Sequence, residues 1–83
     1  MKSLAHEVRE FTLRNYVQPA RHCGLEEIKI HIREIESRIV PSVSADFICT
    51  ALSTKVFETT YKVMLTTTEV RGGVKGTVLT FRV

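Results

Sequence analysis

"EEIKIHIREIESRIV", residues 26–40, changes its hydrophobic period halfway along. Ile28, Ile30 and Ile32 alternate with Lys29 and His31, the two-residue repeat of a half-buried strand. Ile32, Ile35 and Ile39 then recur at three and four, the repeat of a helix face. Both patterns hold if a short strand over about 28–31 runs straight into a helix over about 32–39. Pro41 stops that helix, because the residue before a proline is pushed out of the α region.

Towards the N-terminus, Ser3 to about Gln18 reads as an amphipathic helix. Ser3 is its cap, and Leu4, Val8 and Phe11 follow at helical spacing, with Leu13, Tyr16, Val17 and Ala20 on an adjoining apolar stripe. At Pro19 the helix either kinks or restarts with the proline in its first turn, and Gly24 supplies a C-terminal stop.

Towards the C-terminus, Ser42 or Ser44 caps a third helix over "SVSADFICTALSTKVF". Val43, Phe47 and Ala51 lie on one core line and Ile48 and Leu52 on the next, with Cys49 beside them as a small core residue. The opposite face is small and polar: Ser44, Ala45, Asp46, Thr50, Ser53 and Thr54, ending in Lys55. From Thr59 the composition turns β-branched and aromatic in "TTYKVMLTTT", and "TVLTFRV" follows a loop that sets Arg71 and Lys75 among Gly72, Gly73 and Gly76. Two strands joined by a glycine-rich loop form a hairpin.

The resulting order is helix, strand, helix, tight turn, helix, strand, glycine loop, strand. It resembles the winged helix-turn-helix superfamily over nearly the whole chain. The expectation is one α+β domain over residues 1–83, with three helices and a three-stranded antiparallel sheet in which the early strand joins the C-terminal hairpin. "FTLRNYVQPAR" and "ICTALSTKVFE" are similar to a family of small, poorly characterised bacterial and archaeal winged-helix domains, some found near restriction or other defence genes. That resemblance implies the fold and a role with DNA, and no catalytic residue.

By the same resemblance the third helix enters the major groove of double-stranded DNA. Ser42, Ser44, Thr50, Ser53 and Lys55 then face the groove, and the loop of Arg71, Gly72, Gly73 and Lys75 meets the phosphates. Small hydroxyl side chains allow a close approach, and glycines let a loop pass near a polyanion. Asp46 argues the other way, since a carboxylate in the groove is repelled unless it accepts from a cytosine amine. The competing reading is a solvated helix face, or one that docks a protein. Surplus apolar surface on the first helix suggests a homodimer, which fits either reading.

Composition sets the remaining bounds. The chain has 83 residues and a net charge of +3, from 12 Lys and Arg against 9 Asp and Glu, which is compatible with a polyanionic partner without demanding one. Neither a membrane span nor a signal-type stretch is evident, and Cys23 and Cys49 suit a reducing compartment, so the cytoplasm is the expected location. His6, His22 and His31 form no ligand pair with each other or with the cysteines, so neither a metal nor another cofactor is expected. Glu34 and Glu36 would point about 200° apart on a helix, which is unsuited to paired acid–base work. Neither an enzymatic activity nor a small-molecule ligand is expected.

Overall fold

The computed structural model describes residues 3–39 and 42–83. Over these residues the fold is α+β: helices cover one face of a three-stranded antiparallel sheet.

The N-terminal helix begins as α1, Leu4–Thr12, where the Ser3 hydroxyl accepts the His6 N–H at 3.1 Å. It continues through a π-helical turn, Leu13–Val17, into α2, Gln18–His22. The α-helical pattern thus restarts at Gln18 with Pro19 in the first turn of α2, one of the two expected outcomes, and the π-helical turn keeps the chain helical across the junction. Proline has no N–H and its ring crowds the carbonyl four residues back; a widened turn, in which Gln18 N–H donates to the Leu13 carbonyl, relieves that crowding. Gly24 closes the helix at φ +75°, with Leu25 N–H reaching back to the Ala20 carbonyl at 2.9 Å and Gly24 N–H to Arg21 at 3.2 Å.

The period change at Ile32 marks a real junction. β1, Glu27–His31, passes directly into α3, Ile32–Arg38, and Ile30, Ile32 and Ile35 are all fully buried. The stop assigned to Pro41 lies outside the described residues.

The third helix expected from the sequence is two helices, which makes four helical bodies rather than three. α4, Ala45–Leu52, ends at Ser53, and α5, Lys55–Tyr61, starts after Thr54 in an extended conformation. Arg9 holds the break: its Nε donates to the Ala51 carbonyl at 3.2 Å and its Nη2 to the Thr54 hydroxyl at 3.5 Å. Thr59 to Tyr61 are consequently helical and not strand. Lys62, at φ 57°, turns the chain into β2, Met64–Val70.

A six-residue loop, 71–76, joins β2 to β3, Thr77–Arg82. β3 is the central strand, in the order β1-β3-β2, with Ile30 opposite Leu79 and Ile28 opposite Phe81. On the other side the β2 register shifts between Leu65 and Thr67, a bulge beside which the Thr66 hydroxyl donates to the Thr80 carbonyl at 3.2 Å.

The buried side chains form one connected core. Phe57 of α5 is fully buried in it, packed edge-on against Phe81 at 5.3 Å and Tyr61 at 5.5 Å between ring centroids. Ile48 and Leu52 of α4 are fully buried as expected, whereas Phe47 is 36% exposed and Ala45 is buried, so α4 is rotated from the face assigned by sequence. Val17 and Ala20 are buried and Leu13 and Tyr16 pack half-buried against the core, so the stripe read as surplus is used within the chain. Cys49 is half-buried beside the core and Cys23 is exposed; both are free thiols. No helix among the described residues is long and apolar enough to cross a membrane.

Candidate nucleic-acid interface

The loop between β2 and β3 has a defined shape. Arg71 N–H donates to the Gly76 carbonyl at 3.3 Å and Gly76 N–H to the Gly73 carbonyl at 3.1 Å, around a short 3₁₀ turn at Val74–Gly76. Gly72 and Gly73 take φ +69° and +97°, which side-chain-bearing residues rarely adopt. Gly76 is required for another reason, since a Cβ there would overlap the Arg71 carbonyl.

Both loop cations face carboxylates. Arg71 Nη2 lies 3.1 Å from Glu69 Oε2, and Lys75 Nζ lies 3.8 Å from Glu36 Oε1. The Arg71 and Lys75 side chains remain 79% and 70% exposed, so each pair contributes about 0–1 kcal/mol and is readily exchanged. Glu36 has a second duty. Its Oε2 accepts the Ala45 N–H at 3.1 Å, at the first residue of α4. One carboxylate therefore ties the loop, α3 and the start of α4 together.

A cleft of about 260 Å³ opens beside this tie. Arg71, Lys75 and residues 76–78 line it from the hairpin; His31 at the end of β1 and Arg33 in the first turn of α3 line it from the other side. Its charged lining is wholly basic. The β1–β3 register brings the two sides together by setting His31 opposite Val78. Sequence reading missed His31 and Arg33 because they lie some forty residues before the loop; the strand pairing that joins them to it was the only signal.

The groove-facing residues read from the sequence lie on an exposed surface. Ser42, Ser44, Thr50, Ser53 and Lys55 are all exposed. Ser44 caps α4 by accepting the Phe47 N–H at 3.3 Å, which leaves its own O–H free to donate. Thr50 donates to the Asp46 carbonyl at 2.9 Å and keeps acceptor capacity. Between these hydroxyls sits Phe47, an exposed ring that was expected in the core. No Lys or Arg lies on α4 itself, so the positive charge belongs to the loop, to Arg33 and to Lys55.

On α3, Glu34 accepts from the Tyr16 hydroxyl at 2.9 Å and pairs with Arg38 at 3.3 Å; the Arg38 guanidinium also lies about 6 Å from the Phe11 and Tyr16 rings. Burial, first, and the neighbouring Glu34 raise the Tyr16 pKa above 10.0. The cluster fixes α3 to the N-terminal helix and contributes no cation to the cleft. Among the described residues no three His, Cys, Asp or Glu side chains gather in a way that would hold a metal ion.

Comparison of the chain with protein-family models, with curated proteins and with solved structures gives no match in any of the three.

Proposed function

We propose that the chain is a winged helix-turn-helix module that binds double-stranded DNA, as a small transcriptional regulator or as the DNA-recognition part of a larger system. In this reading α3 and α4 form the helix-turn-helix, α4 enters the major groove, and the loop 71–76 is a wing on the phosphate backbone. Ser42, Ser44, Thr50 and Ser53 approach base edges; Lys55, Arg71 and Lys75 neutralise phosphates.

The observation that carries the reading is the bridge through Glu36, which joins the basic loop at Lys75 to the start of α4 at Ala45. A recognition helix and a phosphate-binding loop have to lie side by side if both are to engage the same duplex, and the shared carboxylate reports that proximity in the free protein. The strand order β1-β3-β2 adds support, because it sets the strand before α3 beside the hairpin, as the winged-helix resemblance implies.

The exposed Phe47 ring favours a second reading, in which α4 docks a protein. One titration separates the two. Fluorescence anisotropy of a labelled mixed-sequence duplex should show binding at about 50 mM salt that falls steeply towards about 200 mM through counterion release. A folded protein that binds at neither salt would overturn the DNA reading and leave docking through α4.

A further inference from the structure

We infer that the cleft between the β1–α3 corner and the glycine loop is a phosphate-binding site, and that Glu69 and Glu36 are internal competitors which phosphate displaces from Arg71 and Lys75. The inference rests on the DNA reading for its natural ligand, a phosphodiester of the duplex backbone. The chemistry recognised is the phosphate oxyanion itself.

Three observations lead there. The cleft draws charged or ionisable groups from three places in the fold: His31 from β1, Arg33 from α3, and Arg71 and Lys75 from the loop. Its lining contains no carboxylate, and Arg33 pairs with none among the described residues, so one guanidinium faces the cleft without a counter-charge. A volume of about 260 Å³ admits a tetrahedral oxyanion together with water.

The two carboxylates that do reach the loop cations hold them from outside the cleft, at 3.1 and 3.8 Å. Such exposed pairs yield to a ligand with more charge and more acceptor oxygens, since a guanidinium binds phosphate through parallel N–H donors. Glu36 has somewhere to go when Lys75 turns to phosphate. It keeps its bond to the Ala45 N–H, so α4 stays capped while the loop lysine changes partner. Glu69 and Glu36 would thus tune affinity: in the free protein they offset the charge of the loop cations and lower the loop's net attraction for polyanions.

Charge-neutral isosteres test this cleanly. Glu36→Gln retains an oxygen for the Ala45 N–H, and Glu69→Gln lies on an exposed strand end, so both leave the fold intact. Each should tighten duplex binding about two- to fivefold at low salt by removing a competing charge. Arg33→Ala should weaken it about tenfold and lower the salt slope by about one. Amide shifts on adding the duplex, and separately inorganic phosphate, should fall on His31, Arg33 and residues 71–78, with thermal melting as the check on folding.

Each outcome decides something. Salt-dependent duplex binding that Arg33→Ala and Glu69→Gln leave unchanged overturns the cleft and spares the DNA reading. Inorganic phosphate that shifts those amides, in a protein that ignores the duplex, upholds the site for a small phosphate ligand and removes DNA as its source. Shifts with neither probe overturn both.

Discussion

The guanidinium of Arg21 donates to the Tyr61 carbonyl at 2.7 Å, joining the end of the N-terminal helix to the end of α5. The same group reaches Lys62 at 3.0 Å and Val83 at 3.3 Å. Three carbonyls from two chain segments share one fork of N–H donors. Arg21→Ala should therefore cost about 1–2 kcal/mol in urea denaturation, a modest loss because water can replace the donors at this exposed site. Arg21→Lys should recover less than half of it, since an ammonium cannot span the three acceptors.

Gly76 and Gly72 should respond differently to the same substitution. Gly72→Ala meets nothing within 4 Å and incurs only the strain of φ +69°, about 1–2 kcal/mol. Gly76→Ala drives a Cβ into the Arg71 carbonyl and must open the loop. Thermal melting should show the larger loss for Gly76→Ala, and the amide resonances of residues 71–78 should move in that variant above all.

Phe57→Ala should cost about 3–5 kcal/mol, enough to unfold a domain of this size at the lower end of ordinary stability. The ring is fully buried and touches both Tyr61 and Phe81, so its removal leaves a cavity between α5 and the sheet. Circular dichroism with and without a low urea concentration measures it. A loss below about 1 kcal/mol would contradict the packing described.

Tyr16 predicts behaviour at alkaline pH. Its folded pKa is raised, by burial first and by Glu34 second. The unfolded chain therefore ionises this hydroxyl before the folded one does. The stabilisation is complete below about pH 10 and is lost as pH climbs through the raised folded value. Between about pH 9 and 11 wild-type stability should fall more steeply than that of Tyr16→Phe, and equal slopes would rule out the contribution.

Legibility in the sequence followed the range of the interactions involved. The strand-to-helix junction at Ile32, the cap at Ser3 and the glycine loop are local, each written into a few neighbouring residues, and all three are present. The break between α4 and α5 contains neither glycine nor proline; Arg9 reaches across from another helix to hold it. The turn of α4 that exposes Phe47 and buries Ala45 is likewise set by packing, because a period alone fixes a stripe only to within one residue on either side. Arg71 and Lys75 were legible as the charge of the loop. His31 and Arg33 were not, since only the pairing of β1 with β3 carries them to it.

That pairing also orders events during synthesis. β3, the last strand to leave the ribosome, is the one to which both others bind, and Ile30 waits for Leu79. No part of the sheet can form on the nascent chain until residues 77–82 are exposed, and the helices have no sheet face to condense upon before then. The rate at which the sheet and the core it covers form is therefore governed by closure of the long segment between β1 and β3. A chain cut off within residues 71–76 would carry the residues of α1 to α5 and of β1 and β2, and no sheet, because the strand that joins the other two would be missing.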